Sequence, residues 1–451
     1  MASTYLNRTP ASASNRTTWT WSAWIKRSAI STGNNQTLWN AGSGEADDIR
    51  LTITNNNQIV FGTDATTFLL TSQLFRDVSA WYHIVFAFDT TQGTASDRAK
   101  LYINGSLVSS FSTDNRASLS GSYAYNNTVG HAIGRQAYAG STYYDGYMAE
   151  VNFIDGQALS PTDFGQTDST GIWKPKGYSG SYGTNGFYLK FSNGGDLGAD
   201  SSGNGNNFTK SGNGRQTTDA PSNVFATINA LQKTSGSQLL SEGNLEHRTT
   251  GNWMYLPANM GASSGKWYAE VKLTDATNFN VGVMQLGGAS DTTSLMNTNN
   301  TVLGGNSAGD AWVLFGDGAD TGTYKNNNTP NFGNMATSFP SNIVTNDIIM
   351  IAMDTDNQKI WFGVNGSWDN SGDPAAGTNP MPVNTSMIAG KTYTFGSGPE
   401  QATHQWNFGN GYFGTTAVSS GNADDAGIGI FEYAPPTGYY ALCTKNIASY
   451  G

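Results

Sequence analysis

The sequence predicts an all-β protein made of two antiparallel β-sandwich domains. Short runs rich in aromatic and β-branched residues recur through both halves, and clusters of Gly, Asn, Asp and Ser bound them. Helix signals are scarce, since only residues 159–164 combine a capping Ser160 with Pro161 at the first helical position. A chain of 451 residues also exceeds a single hydrophobic core, which stops growing at roughly 250 to 300 residues.

Residues 18–25 show the alternation of a β-strand. Trp19, Trp21 and Ala23 point to one face, and the residues between them, including Trp24, point to the other. Large apolar residues on both sides predict a strand that is partly covered on both faces.

The dipeptide Asn104-Gly105 is the strongest local hairpin signal, because both residues tolerate the positive φ of a tight two-residue turn. It predicts that residues 101–103 pair with residues 107–108. Other strand-like runs in the first half are residues 49–54, 58–62, 82–89 and 148–154.

The second strand-dense block begins near residue 252, after a stretch rich in Gly, Asn and Ser with one apolar run at 187–191. We therefore expect a sandwich over residues 1–170, a connector with one or two strands over 171–245, and a second sandwich over 246–451. The strand-like runs of the second block are 267–273, 280–284, 311–315, 347–353, 359–364, 391–395 and 405–408.

Composition narrows the classes of partner. Charged residues are 12% of the chain, and a net charge of −10 with 23 basic residues leaves no footprint for nucleic acid or a membrane surface. The single cysteine, Cys443, excludes an internal disulfide and a CxxC metal site. No apolar run reaches about 18 residues and no secretory signal is evident, so we expect synthesis in a reducing cytoplasm.

Three motifs in the first half stand in an order that is typical of a known family of domains. They are WTWSAWIKR (19–27), WYHIVFAFD (81–89) followed by LYINGSLV (101–108), and YDGYMAEVNFIDGQALSP (144–161). In this order they resemble the LamG family of concanavalin-like jelly rolls. The resemblance implies a jelly-roll sandwich of the kind that binds carbohydrate.

The second half is similar to the SPRY family of β-sandwiches. Its motifs are GKWYAEVKL (265–273), VGVM (281–284), IMIAMDTDNQKIWFGVNGSW (349–368) and WNFGNGYF (406–413), in that family's order. The loops between them are longer and more polar than is usual there. The resemblance therefore implies the framework more strongly than a loop-borne binding surface.

The whole chain, including residues 185–208 and the ending PPTGYYALCTKNI (435–447), is similar to virion proteins of tailed phages. That resemblance implies a non-enzymatic component of the virion surface, in a tail fibre, tail appendage or head fibre, which is synthesised in the host cytoplasm. Other virion proteins would be its partners, in a homo-oligomer for which a trimer is favoured, with host-surface polysaccharide as a further partner. The alternatives are a free carbohydrate-binding protein and a glycoside hydrolase.

Catalytic constellations are incomplete. Concanavalin-like glycosidases use the pattern ExDxxE, and residues 45–50 match only in part because Arg50 replaces the third acid. We interpret this segment as a solvated turn. The four histidines are too far apart in sequence for ligand spacing and are expected to be structural, with His83 hydrogen-bonded in the core. The sequence therefore predicts no catalytic residues and no enzymatic activity.

Two groups of residues are candidate sites. The first is a set of aromatic side chains among Ser, Gly and Asn, which predicts a platform for sugar rings, a partner contact, or plain surface: Tyr123, Tyr125, Tyr138, Tyr143, Tyr144 and, in the second domain, Trp368. The second is a set of oxygen-bearing side chains that predicts either a calcium site or an Asx-turn loop that satisfies its own backbone: Asp196, Asp200, Asn204 and Asn206. Apart from that calcium ion, we expect no cofactor.

Overall fold

The computed structural model describes residues 3–30, 33–45, 47–233, 236–251, 253–286, 311–317, 320–326, 343–381 and 387–451. The chain divides into two compact units, Met1–Gln216 and Thr217–Gly451. Both are built from antiparallel sheets, as the sequence predicts. Within the described ranges, no helix combines the length and the apolar character needed to span a bilayer.

Unit 1 pairs most of its strands into two large sheets. Its strands are β1 Tyr5–Arg8, β2 Thr18–Arg27, β3 Gln36–Ala41, β4 Ile49–Ile53, β5 Ile59–Gly62, β6 Thr67–Thr71, β7 Tyr82–Asp89, β8 Ala99–Ile103, β9 Ser106–Leu107, β10 Phe111–Asp114, β11 His131–Ile133, β12 Gly146–Asp155, β13 Gly165–Thr167, β14 Trp173–Pro175, β15 Phe187–Leu189 and β16 Thr209–Ser211. The first sheet has the order β10-β6-β5-β4-β3-β11-β1-β16, and the second has the order β15-β12-β2-β7-β8-β9. Strands β13 and β14 form a separate pair.

The core of unit 1 is aromatic. Trp19 stacks on Phe88 with ring centroids 4.7 Å apart, and Trp39 stacks on Tyr125 at 5.2 Å. Trp19, Trp21, Ala23 and Ile25 all belong to this core, which confirms the predicted face of β2.

The other face of β2 is covered too. Trp24 stacks on His83 at 4.6 Å, and the Trp173 indole N–H donates to His83 Nδ1 at 2.9 Å. Because an indole N–H can only donate, His83 carries its proton on Nε2, which lies 2.9 Å from Ser22 Oγ. His83 is therefore hydrogen-bonded within the fold at both ring nitrogens, as predicted from the sequence.

Two local signals in unit 1 are confirmed. β8 and β9 pair Ile103 with Ser106 across Asn104 and Gly105, whose φ angles are 49° and 83°. The helical turn appears as a 3₁₀ segment, Pro161–Asp163, with a capping box from Ser160. Other 3₁₀ turns are Ala95–Asp97, Arg116–Ser118, Ala230–Gln232 and Asp369–Ser371.

Unit 2 has the same general architecture. Its strands are β17 Gln238–Ser241, β18 Glu246–Thr249, β19 Leu256–Pro257, β20 Lys266–Leu273, β21 Asn278–Leu286, β22 Ala311–Asp317, β23 Asp320–Asn326, β24 Ile348–Asp354, β25 Lys359–Val364, β26 Ser367–Trp368, β27 Thr392–Ser397, β28 Thr403–Asn407, β29 Tyr412–Phe413, β30 Thr416–Ala417 and β31 Tyr440–Ala441, and helix α1 is Thr444–Tyr450. One sheet has the order β17-β18-β28-β20-β24-β25-β26 with β31 parallel to β20, and the facing sheet has the order β19-β27-β21-β22-β23. Strands β29 and β30 pair separately.

The C-terminal segment covers the outer face of the larger sheet of unit 2. Phe431, Tyr439 and Cys443 pack there with Tyr268 of β20 and Trp361 of β25 in a cluster distinct from the core between the sheets. The segment therefore forms part of the fold of unit 2, and Cys443 is a free thiol buried beneath it.

The predicted connector, residues 171–245, does not form a separate segment. β15 pairs with β12, β16 pairs with β1, and β17 pairs with β18. The boundary between the units lies instead after Gln216. The high Gly and Asn content reflects tight turns between short strands, so composition alone misplaces the boundary.

Candidate functional site

The loop of residues 134–145 is held on unit 1 by backbone hydrogen bonds. Gly134 N donates to Leu38 O at 3.1 Å, and Thr37 N donates to Thr142 O at 2.8 Å. Within the loop, Gln136 N donates to Ser141 O at 3.0 Å. The loop, which follows β11, is therefore fixed beside β3, and its side chains have defined positions.

A series of hydrogen-bonded polar side chains begins on the strands next to this loop. Asn40 of β3 donates through Nδ2 to Asp48 at 2.5 Å and accepts from the backbone of Ala137 at 2.6 Å. Arg50 of β4 donates to Asp48 at 2.8 Å and also to Asp64. Burial raises the pKa of Asp48, although the hydrogen bond from Asn40 and the charge of Arg50 oppose that shift.

This series of hydrogen-bonded side chains ends at Tyr138 on the loop. Its hydroxyl donates to Asp64, and the amide of Gln136 donates to the same hydroxyl at 3.0 Å. Burial works against the ionisation of Asp64, but the hydrogen bonds from Tyr138 and Arg50 outweigh it and hold its pKa below the usual range. Desolvation and this bond raise the pKa of Tyr138, so its hydroxyl stays neutral.

A second group on the same loop combines a cation with two aromatic rings. The guanidinium of Arg135 lies 3.6 Å from the ring centroid of Tyr5 on β1, and the Tyr143 ring lies 6.2 Å from the Tyr5 ring. Gly140 allows this packing, since a β-carbon there would lie 3.1 Å from Arg135 Nη1. We call Tyr5, Arg135, Gln136, Tyr138 and Tyr143 the loop-134 surface.

The five tyrosines predicted to form one platform do not lie together. Tyr125 and Tyr144 are buried, and their hydroxyls donate to the backbone oxygens of Trp39 at 3.0 Å and Lys26 at 2.8 Å. Tyr123 packs its ring against Phe68. Tyr123, Tyr138 and Tyr143 are all partly exposed, but only Tyr138 and Tyr143 lie on the same loop.

Trp368 also differs from the expectation of an exposed aromatic. It lies at the end of β26, half-buried, with its ring 6.4 Å from Tyr268 in the outer cluster of unit 2. Its apolar surface is used in packing the C-terminal segment.

The candidate calcium ligands are occupied by the protein itself. Asp200 accepts from the backbone amides of Tyr188, Ser202 and Asn206 at 2.8 to 2.9 Å. Asn204 donates to the backbone oxygens of Gly183 and Gly186, and Asn206 also donates to Gly186 O and accepts from Arg8. Asp196 caps the amide of Gly198 at 3.1 Å. These side chains thus form a loop of Asx turns that satisfies its own backbone, which is the second of the two structures predicted for this segment.

The segment 45–50 is only partly the solvated turn that the sequence suggests. Asp47 accepts from the amides of Ser43 and Gly44 at 2.8 and 2.9 Å, as in a turn, and Glu45 is exposed. Asp48, however, is buried at 1% exposure because it anchors Arg50 and Asn40. Across the described ranges, no cluster of three or more His, Cys, Asp or Glu side chains is placed to hold a metal ion.

Sequence reasoning missed Tyr5, Arg135, Gln136 and Asp64. They come from the first strand, the β5–β6 turn and a loop more than a hundred residues from Tyr5, and no local pattern links them. Only the pairing of β1 with β11 brings Tyr5 beside Arg135, which follows β11 directly.

Comparisons with known proteins agree with this architecture. The sequence profile of the concanavalin A-like lectin/glucanases superfamily matches residues 2–164, within unit 1. No curated protein matches the chain.

Among solved structures, a putative carbohydrate binding protein from Bacteroides ovatus is 15% identical, covers 46% of this chain and 56% of its own, and has a TM-score of 0.31. This chain thus spans little more than half of that protein. The PSpry domain of TRIM65 is 11% identical over 40% of this chain and 91% of its own, with a TM-score of 0.28. A heptameric SAP-like pentraxin from Limulus polyphemus is 15% identical over 35% and 71%, with a TM-score of 0.26. Likenesses this remote carry no argument about function.

Proposed function

We propose that unit 1 binds carbohydrate, without catalysis, through the loop-134 surface. The observation that carries the proposal is the stack of Arg135 on Tyr5 beside Tyr143, on a loop that is already held in place. A preformed loop binds with little ordering cost, because its conformational entropy is lost on folding. The match of the concanavalin A-like lectin profile to this unit supports the same assignment.

The chemistry of the surface suits sugar rings. The rings of Tyr5 and Tyr143 offer flat apolar faces for the C–H face of a pyranose, and the neighbouring polar groups bond its hydroxyls. Arg135 Nε is buried and has no hydrogen-bond partner among the described residues, but the residue as a whole is only half-buried. In this proposal the terminal N–H groups of the guanidinium donate to hydroxyls or to a sugar carboxylate.

The absence of catalysis rests on the placement of the carboxylates. A glycosidase needs two carboxyl groups that flank the scissile bond. Asp48 has no exposed side-chain surface, and Arg50 bridges it to Asp64. Release of reducing sugar from polysaccharides, lost in Asp48→Asn, would overturn this part of the proposal.

The test of binding is a glycan array probed with the full chain and with a double variant, Tyr138→Ala with Tyr143→Ala. We expect about a tenfold or greater loss of affinity, as for the removal of aromatic anchors at a binding hot spot. Tyr440→Ala, in unit 2, is the matched control and keeps wild-type binding. Unchanged binding of the double variant to every glycan on the array would contradict the proposal.

We further propose a more specific role than carbohydrate binding, as a component of the virion surface. This proposal rests on the sequence resemblance to phage virion proteins. Under this proposal the chain assembles with other virion proteins as a homo-oligomer, for which we favour a trimer, and the loop-134 surface attaches to host glycans. Mass spectrometry of purified particles tests it directly, since particles that lack the chain would exclude the role.

A further inference from the structure

Unit 1 carries a second group of partly exposed tyrosines on its other sheet. Tyr188 lies on β15 directly opposite Asn152 of β12. The Tyr182 ring is 6.4 Å from that of Tyr188 with an interplanar angle of 13°. The Tyr178 ring is 5.1 Å from that of Tyr182 and perpendicular to it, at 89°. We call Tyr178, Tyr182 and Tyr188 the tyrosine strip.

The protein fixes all three hydroxyls of the strip. Tyr182 donates to Asn152 Oδ1 at 3.1 Å, Tyr188 donates to Glu150, and Tyr178 donates to Ser181 O at 3.2 Å. Rings held at their polar ends lose little further freedom when a ligand packs on their faces. The strip is thus preorganised in the same sense as the loop-134 surface.

Backbone strain marks the same place. Glu150 has a φ of 51° inside β12, where the register with β2 shifts between Ala149 and Asn152. A left-handed conformation costs a residue with a side chain roughly 1 to 3 kcal/mol, and such strain concentrates at functional sites. Bulges of this kind redirect a side chain, and here the redirected carboxylate meets Tyr188.

The described contacts of Glu150 use one carboxylate oxygen, Oε2. Oε1 remains an acceptor for a ligand hydroxyl. The carboxylate of Glu150 contacts the strip directly through Tyr188, and the charge of Asp200 is offset by Arg8. The strip therefore favours a ligand rich in hydroxyl donors and disfavours an anionic one.

We propose that the tyrosine strip with Glu150 is a second carbohydrate site, selective for neutral oligosaccharides. The parallel rings of Tyr182 and Tyr188 supply the stacking faces, Tyr178 packs between Tyr182 and Phe164, and Glu150 accepts from a sugar hydroxyl. It differs in charge from the loop-134 surface, where Arg135 supplies a cation. The two surfaces lie on different sheets of one unit, so one domain holds two sugar sites of opposite charge preference.

The test uses the full chain carrying Tyr138→Ala and Tyr143→Ala, so that the loop-134 surface is disabled. Calorimetric titration with neutral hexasaccharides of β-linked glucose, mannose and xylose should still show binding to at least one of them. In that background, Tyr182→Ala should weaken the binding about tenfold or more, whereas Tyr182→Phe, which keeps the ring and loses the hydroxyl, should stay within about threefold. Near-ultraviolet circular dichroism checks that each variant is folded.

Charge preference gives a second readout. Glu150→Gln should strengthen the binding of hexasaccharides of uronic acids about threefold or more, because it removes the carboxylate that repels them. The proposal is overturned if the Tyr138→Ala, Tyr143→Ala chain binds no neutral hexasaccharide, or if a folded Tyr182→Ala variant binds as well as its parent. None of these results contradicts sugar binding at the loop-134 surface. That binding is tested separately, by the loss of affinity that the Tyr138→Ala, Tyr143→Ala double variant causes.

Discussion

The two units place their ionisable side chains differently. In unit 1 a connected network begins at the buried Asp48, passes through Arg50 and Asp64, and reaches the partly exposed Tyr138. In unit 2 the carboxylate of Glu270 and the imidazoles of His247 and His404 have no exposed surface. A network that reaches solvent can exchange a protein partner for a ligand, whereas a sealed one contributes only to stability.

Glu270 shows what the sealed arrangement does. Its carboxylate accepts from the Tyr268 hydroxyl, the Asn407 amide, and the backbone amides of Glu432 and Tyr433, at 2.8 to 3.1 Å. Burial raises the pKa of Glu270 to about 7 even though these hydrogen bonds lower it. Glu270 thereby attaches the C-terminal segment to the sheet of unit 2.

The largest expected effect follows from removing that attachment. Glu270→Ala removes the shared acceptor of four donors, of which only the Asn407 amide keeps another acceptor among the described residues, Ile430 O, so we expect unit 2 to lose about 3 to 5 kcal/mol of stability. Denaturant unfolding followed by tryptophan fluorescence measures it. Glu246→Ala, at a half-buried glutamate that accepts from Ser241 and Gln405, is the control and should cost about 1 kcal/mol. Equal losses in the two variants would refute the distinction.

Acid should destabilise unit 2 through its buried histidines. Both imidazoles contact Ser397 Oγ, His247 through Nδ1 at 3.1 Å and His404 at 3.0 Å, and burial lowers the pKa of His404 to about 3. The folded state then binds fewer protons than the unfolded state between pH 6.5 and 3, so stability falls as the pH drops through that window. For His404 the loss is about 2 kcal/mol by pH 5.

Glu270 has the opposite sign over an overlapping range. Its raised pKa means that the folded state binds more protons between pH 4.5 and 7, so its contribution decreases as the pH rises through that window. Thermal unfolding from pH 4 to 8 separates the two groups. In a plot of unfolding temperature against pH, His404→Gln should reduce the slope on the acid side. Glu270→Gln should reduce the slope on the neutral side. An unchanged plot in either variant would contradict the assignment of that slope to the residue.

Unit 1 should respond less to an isosteric change in its network. Asp48→Asn places an amide N–H₂ against either Asn40 or Arg50, both of which donate to Asp48. We expect a loss of about 1 to 2 kcal/mol in unit 1 and weaker glycan binding at the loop. Thermal unfolding of unit 1 and calorimetry measure the two effects. Stability equal to the wild type would mean that Asp48 is dispensable for holding the network.

The smallest expected effect on stability is at the exposed end of the network. Tyr138→Phe removes only the hydroxyl that donates to Asp64 at the surface, so we expect a change within about 0.5 kcal/mol. If the loop-134 surface binds sugar, the same variant should still lower affinity by about threefold because Asp64 and Gln136 lose their shared partner. A large loss of stability would instead make Tyr138 a structural residue like Tyr125.

Much of the framework could be predicted because its causes are local. The alternation in residues 18–25 places Trp19 and Trp21 in the core, and Asn104-Gly105 supplies the positive φ that the β8–β9 turn requires. The site was harder to predict, because a Tyr among Ser and Gly can lie in the core or at the surface. Tyr125 and Tyr143 have similar neighbours in sequence, yet only Tyr125 meets a backbone acceptor in the core.

Strand alternation and turn chemistry act over a few residues, so they are enough to predict the all-β class, the two sandwiches and the tight turns. The division into units, the set of partly exposed tyrosines and the stack of Arg135 on Tyr5 depend on contacts between residues that are distant in sequence. A contact between residues more than a hundred positions apart depends on which strands pair, and that pairing is a property of the whole sheet.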